Sequence, residues 1–304
     1  MAWLEVHEYG VKGWNAGVDS SERARHYCEE LERGAILFFP EPPFELPDDR
    51  RKFLLSLKPA DSRLHKNVSY RPTTDILRGL VDRGNRARLH DVMRGYAAEV
   101  RQFICSFLTP YAGKLQVDYA SFRPAEEEGR NLPLHKRNDL LHVDAFPSRP
   151  TRGGRILRAF TNVNLEQARV WVVGERFPKL AERLAERASL ARFKSQPKVV
   201  QGLKRGLRGL GLPLRDRAPY DRFMLHFHDW LKENAEFQEQ AEGKDLLEFP
   251  PMATWLVFTD GVPHAALSGQ FAMEQTFIIP LGALVAPEVA PIRVLERLGG
   301  RGMG

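Results

Sequence analysis

Two histidines and one aspartate are the residues of this chain whose types and spacing suit metal chemistry. The stretch Leu141-His142-Val143-Asp144-Ala145-Phe146-Pro147 sets an imidazole and a carboxylate two positions apart. Extended backbone points residues i and i+2 to the same side, so His142 and Asp144 can offer a nitrogen and an oxygen to one cation without a bend. A third ligand is available in His264, just beyond the turn in Thr259-Asp260-Gly261. Two histidines and a carboxylate on one face of an octahedron suit non-haem Fe(II) and leave positions open for a cosubstrate and dioxygen. A His-x-Asp pair alone is a common surface arrangement. Here it precedes a strong apolar strand, and His264 lies between a strand-turn and another apolar strand.

The elements that must position these donors follow from periodicity. Residues 35–39, Ala-Ile-Leu-Phe-Phe, read as a buried strand stopped by Pro40. A helix precedes it, with Ser21 as its cap and Gly34 as its stop, and another begins at Asp48. The polar and aromatic segment from Lys66 to Pro72 reads as a surface loop. Between residues 86 and 108, apolar side chains recur every three or four positions, which predicts an amphipathic helix packed on a sheet. Residues 116–123 alternate as a strand ending in Arg123, followed by a charged loop up to the His-x-Asp stretch. The clearest strand is Ile-Leu-Arg-Ala-Phe-Thr-Asn-Val-Asn-Leu from position 156, where Arg158, Phe160 and Asn162 share a face. That face either lines a cavity or is solvated. Further strands are expected at 168–173, at 254–258 and in Glu-Gln-Thr-Phe-Ile-Ile-Pro-Leu up to 281. His226 and His228 fall on different sides of a helix and read as packing or surface residues.

This pattern predicts an α+β chain with a double-stranded β-helix (jelly-roll, cupin-like) core, flanking helices and a helical insertion. One catalytic domain spans 1–304: a mainly helical framing region over 1–115, core strands within 116–173 and 250–285, and a helical, basic insertion over 175–245.

Composition narrows the function classes. With 43% apolar residues in 304, the chain can bury one large core. Only two cysteines, Cys28 and Cys105, argue against a disulfide framework and against a cysteine-based zinc site. No apolar run reaches membrane-spanning length and the start lacks the order of a signal peptide, so a cytoplasmic location is expected. The net charge of +6 favours an anionic partner. Residues 194–217 interleave Lys and Arg with Leu, Val and Gly, a mixture suited to an anionic membrane face or to a solvated basic loop. No nucleic-acid motif accompanies it, and no partner protein is predicted.

Beyond the triad, His-Val-Asp-Ala-Phe-Pro-Ser-Arg-Pro-Thr-Arg-Gly-Gly-Arg-Ile-Leu-Arg-Ala-Phe-Thr-Asn-Val-Asn, together with Lys-Asn-Val-Ser-Tyr-Arg-Pro, the Ser-Phe-Arg-Pro strand end and the block from Phe258 to Pro280, resembles the Kdo hydroxylase family of Fe(II)/2-oxoglutarate-dependent dioxygenases. The resemblance covers most of the chain. It implies hydroxylation at the 3-position of Kdo, the acidic eight-carbon sugar on lipid A of lipopolysaccharide, to give Ko, with succinate and CO2 as coproducts. It further implies Fe(II) on His142, Asp144 and His264, with 2-oxoglutarate and O2 as cosubstrates. Many members of the wider superfamily anchor 2-oxoglutarate with a cation one strand after the last histidine, but no Arg or Lys lies between His264 and Pro291. Arg158 is the first alternative, because its planar fork pairs bidentately with a carboxylate. Arg123 is the second, with Asn162, Gln275 and Thr276 as neutral helpers. Arg149, Arg152, Arg155, Lys66 and Arg71 are the expected contacts of the sugar acid. A Kdo-bearing lipid A precursor is then the partner, met on the inner face of the inner membrane. Competing readings are a dioxygenase for another small molecule or a protein, a non-catalytic cupin-like metal-binding module, and a zinc hydrolase.

Overall fold

A computed structural model describes residues 3–57, 67–79, 83–193, 217–299 and 302–303. Its elements run β1 (Trp3–Glu5), β2 (Tyr9–Gly10), β3 (Gly13–Trp14), α1 (Ser20–Glu32), β4 (Ile36–Phe39), α2 (Asp48–Ser56), β5 (Val68–Arg71), β6 (Ile76–Arg78) and α3 (Arg86–Phe107). The second half adds β7 (Gln116–Arg123), β8 (Arg155–Asn162), β9 (Arg169–Val173), α4 (Phe177–Leu184), α5 (Pro219–Glu233), α6 (Ala235–Glu239), β10 (Asp245–Phe249), β11 (Thr254–Phe258), β12 (His264–Ser268), β13 (Ala272–Ile279) and α7 (Pro291–Gly299). Among the described residues these form a mixed structure of seven α-helices around an eight-stranded sheet, ordered β1-β4-β11-β8-β13-β7-β5-β6, and a three-stranded sheet, ordered β10-β9-β12. A β2–β3 hairpin stands apart.

The large sheet is the middle layer, which is why its central strands are apolar on both faces. Ile36 and Phe38 of β4, Trp255 and Val257 of β11, and Phe160 of β8 point toward the small sheet and meet Trp171, Val173 and Phe249 there. Their neighbours Leu37, Phe39, Leu256, Phe258, Leu157 and Ala159 face the helical side. There α3 presents Leu89, Val92, Met93, Tyr96, Val100, Phe103, Ile104 and Phe107, the stripe its periodicity predicts. Trp255 anchors the inter-sheet layer, stacked on Phe249 at 3.8 Å between ring centroids.

A third apolar cluster joins α4, α5 and α7 to Leu141, Val143 and Ala265. Val143 is buried in that helical cluster, so the residues on either side of it, His142 and Asp144, turn the other way. Backbone hydrogen bonds in both directions between His142 and His264, 3.2 and 2.9 Å, add the His-x-Asp segment to the edge of the small sheet beside β12. Gly269, at φ +105°, follows β12 with its α-carbon so close to β9 that an added Cβ would stand 2.9 Å from the Arg169 Cα. Only glycine fits both the conformation and the approach.

Several expectations are corrected. Asp19, not Ser21, caps α1: its carboxylate accepts from the backbone N–H of Ser21 and Glu22, because the cap residue must precede the first helical turn. The segment expected as a surface loop contains β5, which pairs with β7 through Val68↔Phe122 and Tyr70↔Ala120. Its buried Val68 and Tyr70 alternate with Ser69 and Arg71, a period too short to stand out. Among the described residues, the first 115 carry three α-helices and also supply β1, β4, β5 and β6 to the large sheet. Residues 245–249, part of the expected helical insertion and its border, form β10 against β9. The basic run 194–216 and Lys66 lie outside the described residues.

Candidate metal centre

His142 and Asp144 stand on the edge segment, and His264 opens β12 opposite them. The three residues are 5, 8 and 6% exposed, respectively, and each offers a ligand atom within 4.8 Å of the others. Asp144 Oδ1 lies 3.8 Å from His142 Nε2, and Asp144 Oδ2 lies 4.0 Å from His264 Nε2. Those separations are too long for hydrogen bonds and leave room for a shared cation.

The hydrogen bonds behind the triad select its ligating form. His142 Nδ1 donates to the Leu140 carbonyl at 2.7 Å, and His264 Nδ1 donates to the Val262 carbonyl at 2.9 Å. Because a carbonyl cannot donate, each Nδ1 carries the proton and each Nε2 presents its lone pair inward. Burial lowers both imidazole pKa values, which keeps the rings neutral. For Asp144, burial opposes the charge, but the Arg158 guanidinium outweighs it and holds the carboxyl well below the usual range. Asp144 Oδ2 is buried without a hydrogen-bond partner. Arg158 balances its charge from 3.2 Å without donating to it, so the oxygen keeps lone pairs for a metal. Two neutral imidazoles and one carboxylate form the nitrogen and oxygen donor set that suits Fe(II) with open positions.

The triad opens into a cavity of about 310 Å³. Arg158 and Arg123 both line it. Arg158 Nε stands 3.2 Å from Asp144 Oδ2 and makes no hydrogen bond, while Nη1 is 3.6 Å from Glu274. Arg123 Nε donates to Glu274 Oε2 at 3.0 Å. Thr276 pairs with Arg158 across β13 and β8 and therefore shares its face, outside the cavity lining.

The remaining expected residues are placed elsewhere. Asn162 spends its amide on the carbonyls of Gln167, Phe249 and Pro250, where it ties the end of β8 to β10. Gln275 points to the opposite face of β13 and donates to the Asp118 and Thr276 carbonyls. Arg155 is fully buried against Asp260, 2.9 Å from its carboxylate, and borders a separate cavity of about 640 Å³ that excludes the triad. It is therefore not among the residues that line the triad's cavity. Arg152 is exposed at φ +53° with its backbone N–H donated to Asp221. Arg149 pairs with Asp118 and stacks over Tyr119 and Phe146 at 4.4 and 4.1 Å. Arg71 lies over the same Tyr119 ring at 5.6 Å, so this pair converges beside the Asp144 segment.

Residues that the sequence pattern passed over complete the site. Trp171 of β9 stacks on His264, with ring centroids 5.2 Å apart. His228 of α5 packs edge-on to His142 at 4.7 Å and donates Nδ1–H to the Val143 carbonyl at 2.7 Å. It is therefore part of the site wall and not a surface residue. One helical turn later Lys232 lines the same cavity. The i, i+4 spacing of His228 and Lys232 was the available signal. The charged loop before the triad hides Glu127, 4% exposed, whose carboxylate pairs with Arg130, Arg169 and Arg123 at 2.7, 3.1 and 3.6 Å. Burial raises its pKa, but those arginines outweigh burial and lower it to about 2.

Set against known proteins, residues 14–302 match the family described as 3-deoxy-D-manno-oct-2-ulosonic acid (Kdo) hydroxylase. Among solved structures, the chain is similar to the Kdo hydroxylase KdoO, a non-haem Fe(II) α-ketoglutarate-dependent dioxygenase, in complex with α-ketoglutarate and Fe(III): 33% identity, TM-score 0.82, covering 100% of this chain and 97% of that one. The cobalt(II) complex of KdoO matches with 34% identity and TM-score 0.81, and the succinate and Fe(III) complex with 33% and 0.80, at the same coverage. No curated protein matches the chain.

Proposed function

The chain belongs to the Kdo hydroxylase family, and from that premise we propose that it is an Fe(II)/2-oxoglutarate-dependent dioxygenase that hydroxylates the 3-position of Kdo on lipid A or the lipopolysaccharide inner core. The observation that carries this is the convergence of His142, Asp144 and His264, with an Asp144 oxygen that accepts no hydrogen bond. The two facing sheets, the small one extended at its edge by the His142–His264 bridge, are read as a double-stranded β-helix within one catalytic domain.

Bound Fe(II), with 2-oxoglutarate and O2, supplies the oxidising power that converts C–H to C–OH and leaves succinate and CO2. His142, Asp144 and His264 hold the metal. Arg158 is our choice for the free carboxylate of 2-oxoglutarate, supported by its place in the cavity and its undonated Nε–H; Arg123 stands next to it. Phe160 and Trp171 in the same wall exclude water. Arg71 and Arg149 are kept as contacts for the substrate's anionic groups.

No helix among the described residues is long and apolar enough to cross a membrane. We place the enzyme on the cytoplasmic leaflet, in peripheral contact through the basic run 194–217, whose alternation of cations and leucines supports it. Neutralising four of its cations should weaken binding to anionic liposomes; unchanged binding refutes that contact. The reaction itself is tested by incubating the protein with Kdo-bearing lipid A, Fe(II) and 2-oxoglutarate, with and without O2. One added oxygen on the sugar and matching succinate are expected. An iron-loaded protein that forms no oxygen-dependent product overturns the assignment.

A further inference from the structure

The cavity wall is more cationic than metal and cosubstrate require. Arg123, Arg130, Arg158 and Arg169 face Glu127, Glu274 and Asp144, so the acids nearly balance the arginines. Fe(II) and the 2-oxoglutarate dianion bring equal and opposite charge. Two lysines of the lining stay outside these pairs: Lys136, which is exposed, and Lys232. Lys232 is only 4% exposed, and its Nζ has a single acceptor among the described residues, the His135 carbonyl at 3.2 Å. Asp144, Asp229 and Asp139 act on it only through space. An ammonium buried without an ion pair costs stability, and an anionic ligand is one way to compensate it.

Its location separates it from the cosubstrate's arginines. Arg158 meets the triad at Asp144. Lys232 stands on the other flank, one turn of α5 beyond the His228 ring that packs on His142. The exposed 135–136 segment contacts it through the His135 carbonyl, and Lys232 lines the same cavity as the metal ligands. Resting on the Kdo hydroxylase reading, the geometry points to Lys232 as the residue that receives the carboxylate of the sugar acid and thereby sets specificity for an acidic sugar. Burial lowers the Lys232 pKa, and a carboxylate beside it opposes that shift.

The test uses the iron-loaded, oxygen-free enzyme with 2-oxoglutarate, and two probes: Kdo-bearing lipid A as the free acid and as its carboxyl methyl ester. Wild-type protein should prefer the acid by about tenfold or more, the worth of one charged hydrogen bond. K232M should lose that preference, K232R should retain part of it, and the visible absorption of the bound 2-oxoglutarate complex should titrate unchanged in both. K232M should also unfold at or above the wild-type temperature, because it removes a buried charge; a purely structural lysine predicts a loss. An acid preference that survives in K232M overturns the assignment, as does a tenfold weaker 2-oxoglutarate complex, which would give Lys232 to the cosubstrate. Should K232M not fold, full acid preference in K232Q overturns it equally. Wild-type protein that binds neither probe overturns the Kdo reading itself, a different result from a preference insensitive to position 232.

Discussion

At the scale of single residues, the site combines groups proposed to hold a metal with groups that hold those side chains in place. Arg158→Ala should raise the KM for 2-oxoglutarate about tenfold or more while iron binding persists, since it removes a charged fork from a cavity that keeps its triad. A KM that stays put would move the anchor to Arg123. His228 acts one step further out. Its Nδ1–H fixes the Val143 carbonyl between two proposed ligands, and its ring supports His142. His228→Ala should therefore weaken metal affinity by about 10–100-fold, the usual cost of losing such a support, measured by competition with a chelator. Affinity equal to wild type would reduce His228 to packing.

At the scale of elements, the loop between β7 and the triad is held by charge. Glu127 joins it to the end of β7 through Arg123, to β9 through Arg169, and to itself through Arg130. Its folded pKa of about 2 is below the ordinary 4.5. A depressed acid contributes stability that is complete above the unfolded pKa and is lost as pH falls from about 4.5 toward 2. Glu127→Gln should cost about 3–5 kcal/mol near neutrality, the cost of breaking a buried pair. In denaturant melts, the difference from wild type should shrink through that acid window. A pH-independent difference would mean that the pairing is not ionic. The same loop shows why local reading failed: a run of three glutamates reads as solvated until three arginines, two of them distant in sequence or on other strands, close around the middle one.

At the scale of the whole molecule, the metal is expected to tie the His-x-Asp edge segment to β12 of the small sheet, because two proposed ligands stand on that segment and the third on β12. Binding to the native state alone stabilises it by about 2.7 kcal/mol when free metal is a hundredfold above its Kd. Cobalt(II), which avoids oxidation, should raise Tm by several degrees, chelation should reverse this, and Asp144→Asn should abolish the response. A Tm indifferent to metal would argue against the triad as the ligand set.

Much of this was legible in the chain. His142 and Asp144 could be paired by eye because spacing of two in extended backbone is a local rule, and β7, β8, β11 and α3 appear where alternation or helical period places them. Family resemblance then named the chemistry, and the match over residues 14–302 upheld it. What the residues could not reveal was which arginine goes where. Arg155 and Arg158 are three positions apart on one strand, yet one is sealed against Asp260 and the other opens on the triad. Their fates depend on strand neighbours drawn from remote parts of the chain. Lys232 and His228 likewise look like ordinary helix residues until α5 packs on Val143 and turns their shared face to the cavity. Local spacing determines which side chains can act together; only the non-local pairing of strands and helices decides which charges are buried, which are already paired, and which are left to bind.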